Sequence, residues 1–139
     1  MTNVYTVATT VKCPPGLDCV VAQITSPANT EIKIKKIRIT PTDGTDTTVN
    51  DFHRNIKLLT ESAAGTGGTA YTPIDIDDNN TAAVSTVKTG PMGIGTISAT
   101  IDQISLHSGT DFFWQAADED DKIVIKPGEI FGLVVNSST

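Results

Sequence analysis

Alternation of apolar and polar residues with a period of two, recurring along the chain with turn residues between the runs, most limits the folds open to this sequence. Tyr5, Val7, Thr9 and Val11 share one face of a first expected strand, and Val20, Ala22 and Ile24 one face of a second. In the stretch from Thr30 to Thr40 the inward set is Ile32 and Ile34, then Ile37 and Ile39. The parity slips by one residue at Lys35-Lys36, which predicts a β-bulge, because only an extra residue returns the apolar set to the same face. The same slip separates Ile97, Ala99 and Ile101 from Ile104 and Leu106, with Asp102-Gln103 as the extra step. Further strands are expected at Phe52, Ile56 and Leu58, at Val84 to Lys88, at Phe112 to Gln115, at Lys122 to Lys126 and at Glu129 to Asn136. The 22 threonines and 15 isoleucines favour the same class, since β-branched side chains are stiff in a helix and pack well on a pleated surface. The expectation is an all-β, antiparallel β-sandwich with curved sheets, one domain over residues 1–139.

Pro127-Gly128 joins the last two strands: Pro presets φ at the second turn position and Gly accepts the positive φ of the third, so a type II turn closing a final hairpin is expected. The strand after it, Ile130-Phe131-Gly132-Leu133-Val134-Val135, is apolar on both faces. Such a strand lies centrally or meets a neighbouring subunit, which makes Phe131 and Val135 interface candidates. Between residues 62 and 81 the alternation breaks down into a Gly/Thr-rich connection that is long for a compact domain. Three readings stay open: an internal hairpin using Ile74 and Ile76, an extended arm that orders against a partner through Tyr71 and Pro73, or plain disorder.

With 10 Lys plus Arg against 16 Asp plus Glu, the net charge is -6, and no broad basic surface is available for a nucleic-acid backbone. No apolar run approaches the roughly 18 residues of a membrane span, and Met1 to Tyr5 lacks the basic start of a secretion signal. Neither nucleic acid nor membrane is expected as a partner, and the protein is read as soluble and made in a cytosol. That compartment favours reduced thiols at Cys13 and Cys19, although a turn over Pro14-Pro15-Gly16 leaves a disulfide open; two cysteines and two distant histidines do not make a zinc spacing.

Equipment for catalysis is thin. His53 and His107 are the only imidazoles; His53 reads as a strand residue opposite Phe52 and Ile56, and His107 as a strand end before Ser108-Gly109, without a nucleophile-elbow motif. The glycine-rich stretches Gly65-Thr66-Gly67-Gly68 and Gly90-Pro91-Met92-Gly93-Ile94-Gly95 lack the Gly-Lys-Ser/Thr of a phosphate loop and read as flexible connections. Asp75, Asp77 and Asn79 begin like a calcium loop, but Asn80 stands at the glycine place and Thr86 where the bidentate glutamate belongs. A looser calcium site there or at Asp118-Glu119-Asp120-Asp121 stands against a solvated acidic loop. No catalytic residue, cofactor or metal is assigned. Lys33, Lys35, Lys36 and Arg38 interleave with isoleucines, giving either a solubilising face or a docking stripe for an acidic protein surface, with Lys33, Lys35 and Arg38 as the contact candidates. Trp114 reads as core packing, with sugar stacking as the minority role.

The middle segment, Gly65-Thr66-Gly67-Gly68-Thr69 through Thr72-Pro73, Ala82-Ala83, Ser85-Thr86 and Lys88-Thr89-Gly90, resembles small structural proteins of tailed bacteriophages. Trp114 followed by Ile125-Lys126-Pro127-Gly128-Glu129 and Gly132-Leu133 fits the same pattern, that of a head decoration, or cement, protein. The resemblance implies a jelly-roll-like sandwich and homotrimers on the outer capsid of the virion. It further implies loops or termini that clasp neighbouring copies of the major capsid protein, with no enzymatic activity. The other function classes compatible with the residues are another phage structural component, such as a head fibre base or minor tail protein, and a carbohydrate- or calcium-binding β-sandwich module.

Overall fold

A computed structural model describes residues 4–12, 17–40, 53–75, 85–107 and 111–137. The strands are β1 (Tyr5–Thr6), β2 (Asp18–Thr25), β3 (Ile32–Ile34), β4 (Lys36–Ile39), β5 (His53–Ala63), β6 (Gly67–Tyr71), β7 (Ile74–Asp75), β8 (Thr86–Met92), β9 (Thr96–His107), β10 (Phe112–Gln115), β11 (Ile123–Ile125) and β12 (Ile130–Ser137). One 3-10 turn, Glu119–Asp121, interrupts them. The fold is all-β and antiparallel. A six-stranded sheet in the order β6-β8-β2-β12-β5-β9 forms one layer. The second is a ribbon in which β4 pairs with β10 and β3 with β11.

The ribbon shows why the parity of the isoleucines slips. Lys35 lies outside both β3 and β4, and its carbonyl accepts from the Ala116 amide at 2.9 Å, so pairing runs on across the break. Ile34 and Ile37 are both buried as a result. They meet Phe112 and Ile125 from the opposite strands of the ribbon and Ile56, Leu58, Phe131, Leu133 and Val135 from the sheet in the main core, where each buried Leu or Phe contributes roughly 1.5–3 kcal/mol.

Strand β12 lies between β2 and β5, with a paired neighbour on each side. Its apolar second face is covered too: Val134 packs with Val20, Leu59 and Met92 in a smaller cluster on the far side of the sheet, with Ile94 against it. Phe131 and Val135 are therefore core residues, buried to 3% and 9% exposure, and not interface residues as the sequence suggested. Central placement, not a neighbouring subunit, accounts for the doubly apolar pattern.

The expected final hairpin does not form. The turn itself does: Gly128 has φ of 78°, and the Glu129 amide donates to the Lys126 carbonyl at 3.0 Å. It joins β11 in the ribbon to β12 in the sheet, so the two flanking strands pair with other partners. The chain also changes layer from β2 to β3, and these two corners are tied by Ser26 N–H to Glu129 O (2.9 Å) and Gly128 N–H to Pro27 O (3.0 Å). Pro-Gly specifies the reversal and leaves sheet membership to the core.

Strand β9 also departs from expectation. The register slips at Ile101, between Thr100 opposite Leu59 and Asp102 opposite Leu58, one position before the expected step, and again at Ser98, between Ala99 opposite Thr60 and Ile97 opposite Glu61. Ile97 and Ile101 are exposed, and only Ile104 and Leu106 of the alternating set pack on the main core. The first strand is shorter than the alternation predicts, since only Tyr5–Thr6 pairs, with Ile74–Asp75. Cys19 is disulfide-bonded, against the preference for reduced thiols; the other cysteine, Cys13, lies outside the described residues. Phe52, Ile76 to Val84 and Ser108 also lie outside them.

Candidate interaction surface

Strand alternation places the cations of the ribbon. With Ile34, Ile37 and Ile39 turned to the sheet, Lys33, Lys36 and Arg38 take the outward positions, and all three are exposed. Across the ribbon, Arg38 lies opposite Phe113, Lys36 opposite Gln115 and Lys33 opposite Val124. Directly opposed residues of an antiparallel pair share a face. Phe113 and Val124 therefore stand outward among the cations, 55% and 44% exposed. Lys36 Nζ lies 5.4 Å from the centroid of the Phe113 ring, within cation–π range and worth about 0.5–1 kcal/mol at an exposed site. Lys33 approaches Glu31 at 3.9 Å in a solvent-exposed ion pair, an arrangement typically worth under about 1 kcal/mol.

Of the contact residues read from the sequence, Lys33 and Arg38 share this face, while Lys35 is exposed at the bulge and is set apart from the alternation. Lys36 takes the place beside Arg38. The parity slip itself signals that exchange, because a bulge at Lys35 puts Lys36 opposite in facing to Ile37. Phe113 and Val124 were not picked out, although three successive aromatic residues in one strand require the middle one to face away from its neighbours. Trp114, opposite Ile37, is half-buried and packs on the main core.

Tyr71 and Pro73 belong to a different part of the molecule. Of segment 62–81, residues 67–71 form β6, the edge of the large sheet beside β8, and Tyr71 lies opposite Val87. The Tyr71 hydroxyl accepts from the Ala8 amide at 3.2 Å, and both Tyr71 and Pro73 are half-buried. The glycines here serve close packing rather than flexibility: a Cβ on Gly65 would lie 1.8 Å from the Gly93 carbonyl oxygen.

His53 and His107 occupy directly opposed positions of β5 and β9. Two open depressions, of about 250 and 340 Å³, are lined respectively by Leu17, Asp18, Cys19, Pro91, Met92 and Gly93, and by Glu61, Ser62, Ser98, Pro127, Gly128 and Glu129. Neither includes a histidine. Among the described residues no three of His, Cys, Asp and Glu gather as metal ligands. In the acidic run, Asp118 caps the 3-10 turn, its Oδ1 accepting from the Asp120 amide at 2.9 Å. A feature without a sequence signal lies on the far side of the sheet, where the Glu61 carboxylate and Gln23 Oε1 are buried with no hydrogen-bond partner of good geometry.

Comparison of the chain with protein-family models, with curated proteins and with solved structures gives no match.

Proposed function

We propose that this chain is a structural virion protein, a head decoration protein that binds the outer surface of a phage capsid and stabilises it by bridging copies of the major capsid protein. The observation that carries the proposal is the outward face of the ribbon, where Lys33, Lys36 and Arg38 surround exposed Phe113 and Val124 in a chain of net charge -6. A local patch opposite in sign to the rest of the molecule orients it on approach to an acidic surface, and apolar side chains within the patch provide the area that is desolvated on contact. The sequence resemblance supplies the class of partner. A homotrimer would present three such faces at once, so that each further contact becomes effectively intramolecular and modest patches add up to tight retention.

Mass spectrometry of purified virions carrying this gene tests the proposal. The protein is expected in the particle at a copy number comparable with that of the major capsid protein. Its absence from the particle, or saturable binding of glycans or calcium by the isolated chain, would remove the decoration role and favour a soluble binding module.

A further inference from the structure

The least compensated polar group among the described residues is Glu61. It is 1% exposed, and neither carboxylate oxygen has a hydrogen-bond partner of good geometry, the Gly95 amide being the donor near it. Glu61 follows Leu59 by two residues on β5, so it shares the face of the small cluster of Val20, Leu59, Met92 and Val134. There it leans over Gly132: a Cβ on that glycine would lie 3.1 Å from Glu61 Oε1 and 3.0 Å from Leu59 Cδ1. Gln23 lies directly opposite Gly132 on the other side, in β2, and therefore faces the same way. Its Oε1 is the other buried side-chain oxygen without a partner. Three unsatisfied acceptor oxygens thus lie on the two sides of one glycine, and a proton added to the carboxylate would let it donate to Gln23 Oε1, satisfying that oxygen and one of its own.

We infer that Glu61 is a pH-responsive lock on the packing of β5, β12 and β2: protonated, it donates to Gln23 Oε1, and ionised, it is a buried charge, offset only in part by the Gly95 amide, that loosens this end of the sheet. Among the described residues no cation is placed to offset that charge. The residues facing it are Ile130, Gly132 and Val134 of β12, Gln23 and Thr25 of β2, Ile97 of β9, and Gly95, all of them uncharged, and the charged residue that lines the same depression, Glu129, is itself acidic. On its own strand, Lys57 is turned to Asp18 at 3.5 Å, and Lys88 on the same face belongs to β8, beyond both β12 and β2. Burial raises the carboxyl above its ordinary value of 4.5, and the nearby Gly95 amide draws it back in part.

The sign follows from proton linkage. The folded state holds this proton more tightly than the unfolded chain does, so folding takes up a proton as the pH passes through the interval between the two values. The stabilisation is complete below the ordinary value and is lost as the pH rises through the raised one.

The lock has no bearing on whether the protein decorates a capsid, and its test needs only the isolated chain. Carbon-13 NMR of the wild-type protein is expected to show the Glu61 carboxyl titrating above the ordinary glutamate value, with the Gln23 side-chain amide signals shifting at the same midpoint. Thermal unfolding between about pH 5 and pH 8 is expected to show a Tm that falls as pH rises, and Glu61→Gln, isosteric and uncharged, is expected to lose that fall and exceed the wild type at the upper end. A Glu61 midpoint at or below the ordinary value, a Gln23 amide indifferent to it, or the same pH slope in both proteins would overturn the inference.

Discussion

A Cβ at position 95 would lie 1.9 Å from the Ala63 carbonyl oxygen, a distance that no side-chain adjustment relieves because the obstructing atom is backbone. Gly95→Ala is expected to cost about 1–3 kcal/mol or more, read as a lower urea midpoint with an unchanged slope. A flexible connection would tolerate the same change. The composition of residues 90–95 shows that glycine is needed there but not why, since backbone contacts between segments distant in sequence leave no local pattern. Facing is legible where alternation is strict, as in Ile32, Ile34, Ile37 and Ile39. It is illegible at Glu61, whose neighbours Leu59 and Ser62 do not show that its face of the sheet is covered. A second residue-scale prediction rests on adjacent ribbon positions. Ile125 has no exposure and packs in the main core, so Ile125→Ala is expected to lose about 2–5 kcal/mol; Val124→Thr, one position earlier and outward, is expected to stay within about 0.5 kcal/mol. Equal losses in urea unfolding would mean that the ribbon is in another register.

At the scale of elements, strand positions are well signalled by the alternation, and pairing is not. The segment from Lys122 to Asn136 contains a correctly read turn between two correctly read strands, yet the strands belong to different layers. A turn dictates a local change of direction, whereas the choice of partner depends on contacts such as those of Ser26 with Glu129 across the corner. The length of the apolar run in β12 points to a central strand or a subunit contact, and only the presence of β2 and β5 on its two sides decides between them. The ribbon carries the element-scale prediction for binding. Phe113 is exposed and opposite Arg38, so Phe113→Ala is expected to leave the Tm unchanged within experimental error while weakening capsid retention several-fold, consistent with aromatic residues as interface anchors. A Tm loss equal to that of a core truncation would place Phe113 in the core instead.

For the whole molecule, the relevant quantity is the uneven distribution of charge, with a cationic ribbon face on an acidic protein. Association steered by such a patch weakens as salt rises, because the screening length falls to about 8 Å at physiological ionic strength. The class of fold and the cationic stripe were both visible in the sequence, while the apolar side chains that complete the stripe come from strands some 75–90 residues away and meet it only after folding. The most direct measurement of the central claim is co-sedimentation of the protein with expanded capsids, comparing the wild type with Lys36→Glu/Arg38→Glu at low and physiological salt. The account predicts salt-sensitive retention of the wild type and loss of at least about tenfold in affinity for the folded double variant, as expected when opposed charges become like charges at a contact. Undiminished retention of that variant would contradict it.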